Sequence, residues 1–175
     1  MLSKRLDMNF KECSRTRGRG RDMAEPRIFT SAEELRAGVG EQLGHSEWLD
    51  IDQKRIDLFA EATGDHQWIH VDPEKAAAGP FKTTIAHGYL TLSLLPVLVP
   101  QIIRVEGMKM GINYGANKVR FPSPVPVGSR LRATAVLKEV TEAGGGVQVT
   151  AVVTVEREGG DKPACVGESV SRYYF

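Results

Sequence analysis

The chain has 175 residues, 41% of them hydrophobic and 26% charged, with a net charge of +1. That length suits one domain with its own core, and the balance excludes a body that pulls on nucleic acid through net charge. Only two cysteines are present, Cys13 and Cys165, which excludes a disulfide scaffold and fits a reducing, cytoplasmic compartment.

Charge is uneven along the chain. Residues 1–22 carry seven basic and three acidic side chains, a net of +4, which leaves −3 for the remainder. This segment has no apolar stretch of the secretory type, and Asp7, Glu12 and Asp22 argue against a transit peptide. We expect a basic, disordered tail over residues 1–23 and one folded domain over 24–175, with no nucleic-acid partner.

"FTSAEELRAGVG" follows and predicts a short helix, with Ser31 capping its start and Glu34 completing a capping box. "EWLDI" predicts a first strand. "DQKRIDLFAEATG" predicts a second helix, capped by Asp52 and stopped at Gly64, with Ile56, Phe59, Ala60 and Thr63 on one face. Asp65 to Pro80 reads mostly as loop, with one helical turn at "PEKAAAG". Ile85 to about Val99 predicts a long helix that is apolar all round and therefore buried on every side. It holds His87, Pro96 and Pro100, which argues against a membrane span.

The C-terminal half changes period. "SRLRATAVLKEV" places Leu131, Ala133, Ala135 and Leu137 on one face. "VQVTAVVTVERE" does the same with Val147, Val149, Ala151, Val153 and Val155, and "TEAGGG" between them predicts a hairpin turn. "GINYGANKVRF" before them and "CVGESVSRYYF" after them read as further strands. An apolar helix followed by antiparallel strands has one economical arrangement, a sheet curved around the helix. Such a sheet leaves edges open, and pairing two copies removes one from each, so we expect a homodimer.

"ATGDHQWIH", residues 62–70, places an acid and two imidazoles beside Trp68 and Ile69. Asp65 and His70 are about 500° apart on a helix, hence about 140° apart in direction, so they meet only if the backbone turns between them. Gly64 supplies the stop. In a loop, Trp68 and Ile69 can anchor the turn in the core while Asp65 and His70 face one cavity and share a water as an acid–base pair. Spacing alone leaves the alternative open, a loop acid and a half-buried structural histidine. His66 and His70 have the spacing of a metal pair on a helix, but Gly64 argues against helix there, and no metal is expected. In "IAHGYL", Gly88 opens the buried helix, where free backbone N–H groups can face a ligand oxygen.

Together these residues resemble the MaoC-like, (R)-specific enoyl-CoA hydratases. "FAEATGDHQWIH" is similar to the family's catalytic segment, "IAHGYL" to its helix-opening segment, and "NYGANKVRFPSPVPVGSRL" to the strand and turn that follow. The resemblance spans about residues 30–175. It departs at Gln67-Trp68, where the family usually carries Asn-Pro. It implies an α+β hot-dog fold, an antiparallel sheet wrapped around a long central helix. It also implies hydration of trans-2-enoyl-CoA to (3R)-hydroxyacyl-CoA, with Asp65 and His70 as the catalytic pair, the Gly88 N–H as the oxyanion donor and Gln67 beside the substrate. No cofactor is implied, since CoA is part of the substrate. The alternatives are a dehydratase acting on 3-hydroxyacyl-CoA or an acyl-carrier-protein thioester, and a non-catalytic acyl-CoA-binding protein. Lys118 and Arg120, two apart on a strand and so on one face, are our candidates for the CoA phosphates.

Overall fold

The computed structural model describes residues 25–175, so the expected tail lies outside it. A short parallel pair, β1 (Arg27–Phe29) and β4 (Ile103–Val105), stands apart from the main sheet. The main sheet is antiparallel and has six strands: β2 (Gln42–His45), β3 (Leu49–Ile51), β5 (Met110–Arg120), β6 (Ser129–Ala143), β7 (Gly146–Arg157) and β8 (Cys165–Tyr174). Their order is β2-β6-β7-β8-β5, and β3 also pairs with β6.

Local chemistry fixes the early helices as the sequence predicts. Helix α1 (Ala32–Ala37) starts where the Ser31 hydroxyl accepts the Glu34 N–H. The Glu34 carboxylate reaches back to the Thr30 N–H at 2.6 Å, one residue before the usual capping-box position. In α2 (Gln53–Thr63) the Asp52 carboxylate accepts the Arg55 N–H at 2.8 Å. Gly64 ends that helix with φ of +75°, a conformation that costs a residue with a Cβ.

The core lies on the concave face of the sheet. Leu131, Ala133, Ala135 and Leu137 of β6 and the five alternate residues of β7 from Val147 to Val155 are all buried. Each large aliphatic side chain there contributes about 1.5–3 kcal/mol. Gly144 and Gly145, both at positive φ, form the two-residue turn joining β6 to β7.

Two expectations need correction. Asp65 to Pro80 contains two short helices, α3 (Trp68–Val71) and α4 (Pro73–Ala78). The apolar helix begins at Gly88 rather than Ile85, and it is divided into α5 (Gly88–Ser93), α6 (Leu95–Leu98) and a 3-10 turn over Val99–Gln101. Pro96 has no N–H to continue the ladder past Leu94, so the helix tightens there. Nor is the helix covered on every side, because Tyr89 is 70% exposed. No helix among the described residues is long and apolar enough to cross a membrane.

Candidate active site

Three separate parts of the chain meet at the start of α5. Gly64 turns the backbone out of α2, and the Asp65 carboxylate accepts the Gln67 N–H at 3.4 Å, which closes a small turn. The Gln67 carbonyl then accepts the His70 N–H at 2.9 Å and starts α3. Gln67 therefore serves here through its backbone. Trp68 does not enter the core as expected. Its ring covers Gly79, where a Cβ would lie 2.8 Å from the indole, and this contact ties α3 to α4.

The segment 84–88 is gripped from two sides. Ile85 donates its N–H to the Ile69 carbonyl at 3.0 Å, and its own carbonyl accepts the His70 Nδ1–H at 2.6 Å. On the other side Ala86 donates to Val125 and Val127 donates to Thr84, around a bridge between Ile85 and Pro126. Gln53, at the start of α2, adds a third tie. It accepts the Thr84 hydroxyl at 2.6 Å and donates to the His70 carbonyl at 2.8 Å. The three sequence motifs are thus three walls of one site, and the Pro-rich turn holds the helix-opening segment in place.

The result is a cluster of Asp65, His70 and His87, whose donor atoms all lie within 4.8 Å of one another. His70 is 6% exposed. Its Nδ1 carries the proton given to Ile85, so its Nε2 presents a lone pair. Burial is the main cause that holds its pKa below the usual histidine range; the Ile85 carbonyl opposes that shift, as does Asp65 more weakly. The Asp65 side chain is 55% exposed, so the acid faces solvent while the imidazole lies against the core. His87, which the sequence reading placed only at the helix opening, is stacked on His70 with ring centroids 3.7 Å apart. Stacked imidazoles send their lone pairs along nearly parallel planes, 25° apart here.

Gly88 sits at the first position of α5, with no side chain capping the helix start. A Cβ there would lie 2.8 Å from the Phe121 ring, so packing alone already demands glycine. A cavity of about 580 Å³ begins one turn further along the helix. Leu92, Leu95 and Val99 form one wall, and Leu137, Val149 and Ala151 of the sheet form the other.

Lys118 and Arg120 lie on β5, next to the Phe121 ring that packs on Gly88. The pairing of β5 with β8 slips by one residue between Asn117 and Arg120, and Lys118 has φ of +51°. The regular alternation behind the sequence argument is therefore broken by a bulge. Lys118 lies 3.6 Å from the Glu168 carboxylate, which also takes Lys138 at 2.7 Å. Burial pushes the thiol of Cys165 up to about 11, which removes it as a nucleophile.

A family profile for a MaoC-like domain matches residues 34–159. The chain belongs to the MaoC-like dehydratase family. It is accordingly a hydro-lyase, as the three motifs imply, and its hot-dog fold is the one expected. The chain is 62% identical to the 3-hydroxyacyl-thioester dehydratase Z of Mycobacterium tuberculosis over 148 residues, covering 84% of this chain and 98% of that one. Among solved structures, the (R)-hydratase of A. caviae involved in PHA biosynthesis superposes with a TM-score of 0.62 at 27% identity, covering 76% of this chain and 94% of that one. The monoamine oxidase regulatory protein of Archaeoglobus fulgius has the same fold, with a TM-score of 0.71 at 23% identity over 87% of this chain and 99% of that one. Within this MaoC-like frame, hydration and dehydration are one reaction read in two directions.

Proposed function

We propose that this protein dehydrates (3R)-3-hydroxyacyl thioesters to trans-2-enoyl thioesters. Reading the chain as a hydratase put the emphasis on the opposite direction. The likeness to the mycobacterial 3-hydroxyacyl-thioester dehydratase favours dehydration. The observation that carries the reading is the buried His70 beside Asp65, with donor atoms within 4.8 Å of one another and the His70 Nδ1 proton committed to the Ile85 carbonyl, which leaves Nε2 as the free nitrogen.

The chemistry follows from that geometry. The C2–H bond breaks, its proton goes to His70 Nε2, and the electron pair moves onto the thioester oxygen. The Gly88 N–H stabilises that oxygen. The C3–O bond then breaks as the imidazolium returns the proton, so hydroxyl leaves as water and the C2–C3 double bond forms. Asp65 accepts a hydrogen bond from the departing hydroxyl and keeps it on the face His70 serves. Such an acid–base pair supplies about 10²–10⁴-fold, and one oxyanion donor about 10²–10³-fold. No group beyond the thioester itself is needed. The acyl chain extends into the cavity beyond Leu92, whose walls are mostly aliphatic. CoA phosphates would meet Lys118 only if its pairing with Glu168 opens.

The working form is a homodimer. The edge strand β5 exposes Met110, Ile112 and Tyr114, and α5 exposes Tyr89. Pairing β5 across a two-fold axis covers this apolar set and removes the edge. Light scattering near twice 19.2 kDa is expected, and a stable monomer at micromolar concentration would contradict it.

A direct assay separates this chemistry from thioester cleavage. With trans-2-enoyl-CoA the enoyl absorbance should fall without release of free thiol. Thiol release would point to hydrolysis, and no change across chain lengths would leave only binding.

A further inference from the structure

His87 is the best-buried histidine of the chain, and the reaction above does not use it. It is 3% exposed. Its ring lies between two aromatic neighbours, Phe59 at 5.0 Å and His70 at 3.7 Å. Its Nε2–H donates to the backbone carbonyl of Asp65 at 3.0 Å, and the Asp65 carboxylate is 3.9 Å from the same nitrogen. Its Nδ1 is buried without a hydrogen-bond partner. An unpartnered acceptor of this kind costs about 1–3 kcal/mol, so a side chain with no polar role would be favoured at this position on stability grounds alone.

We infer that His87 is a positioning residue for the dehydration, a ring that fixes both members of the Asp65–His70 pair against one buried reference. The inference rests on the reading of that pair given above. The hydrogen bond from Nε2 holds the Asp65 peptide, which follows directly on Gly64. Glycine in the left-handed region sets the exit from α2, the Gln67 N–H holds the Asp65 carboxylate, and the His87 contact fixes the peptide that carries it. The stacked face holds the His70 ring flat, with its Nδ1 on the Ile85 carbonyl and its Nε2 free. The two imidazoles must therefore be opposite tautomers, Nδ1–H in His70 and Nε2–H in His87.

Stacking also restricts charge. A positive charge on one ring opposes a positive charge on the other across 3.7 Å. The charged groups that reach His70 are His87, which disfavours its protonation, and Asp65, which favours it. Removing the His87 imidazole removes the competitor and leaves Asp65, so His70 should protonate at higher pH.

Two variants separate the roles. His87→Phe keeps a ring between Phe59 and His70 but loses the donor. His87→Gln places an amide N–H near the Nε2 position but loses the ring. The expected result is a fall in kcat of about tenfold or more for His87→Phe with KM little changed, in line with a misplaced catalytic group. Partial recovery of kcat is expected in His87→Gln. In both variants the acid limb of the kcat/KM profile should move to higher pH. Equal kcat values in the two variants, or wild-type kcat in His87→Phe, overturn the positioning role. An unmoved acid limb overturns the charge coupling. Nitrogen-15 NMR of the wild-type imidazoles needs neither variant nor substrate. It should show the two opposite tautomers, and matching tautomers overturn the proposal. That measurement stands even if the dehydratase assay fails, so the two failures are distinguishable.

Discussion

His70 and Lys118 both carry ionisable groups assigned to the site by the sequence, and the chain holds them in opposite ways. His70 is buried, hydrogen-bonded at Nδ1, stacked on one face and tied through its carbonyl to Gln53. Lys118 projects from a bulged edge strand and shares Glu168 with Lys138. A group that moves protons must be placed to within a fraction of an ångström, whereas a cation that meets a phosphate needs only to be near. The difference shows how far the chain goes to fix each one.

The largest effect should come from breaking the fixed side. Asp65→Asn and His70→Gln should each lower kcat/KM by about 10²-fold or more while the protein still melts cooperatively. A loss of less than about tenfold in either variant would remove that residue from the reaction. A smaller effect should follow from loosening its support. Gly79→Ala pushes on the Trp68 ring, and overpacking of this kind costs about 1–3 kcal/mol, so the melting temperature should fall measurably. An unchanged melting temperature would mean that Trp68 does not anchor α3.

The pH dependence of stability sharpens the same contrast. Burial holds the His70 pKa below its unfolded value of about 6.5, so the native state binds fewer protons there. The contribution of His70 is full above that pH and is lost as pH falls through the folded value. Melting temperatures measured between about pH 5 and 8 should decline on the acid side, and His70→Gln should flatten the decline. Equal slopes in the two proteins would contradict the burial argument.

The smallest effect belongs to the loose side. Replacing Lys118 and Arg120 together with Ala should raise KM for a CoA substrate modestly and flatten its salt dependence, leaving kcat unchanged. An unchanged KM at low salt would place the phosphates elsewhere.

What the sequence made legible was local or periodic. Asp52, Gly64 and Ser31 announce helix ends because capping is settled within four residues. The alternation in β6 and β7 announces the core face because every second residue meets the helix side. Asp65 and His70 are legible as a pair once Gly64 is known to turn the chain. His87 is not, because its partner carbonyl lies 22 residues away and its stacking on His70 depends on how two segments dock. Its burial beside a glycine was the one available signal. Trp68 misleads because an indole reads as core, yet Gly79 offers it a flat surface instead. The division of the apolar helix turns on Pro96, visible in the sequence, whose effect is to tighten the helix rather than end it. The slip in β5 is set by its pairing with β8, a long-range contact with no local mark.

The central claim is the reaction itself, and the most direct measurement starts from the hydroxyacyl side. A panel of (3R)- and (3S)-3-hydroxyacyl-CoA thioesters from four to sixteen carbons is incubated with the protein, and enoyl absorbance and free thiol are followed together. The account predicts enoyl formation from (3R) substrates of at least one chain length, none from the (3S) series, and no thiol release. Enoyl formation from neither series, or thiol release in its place, would contradict it.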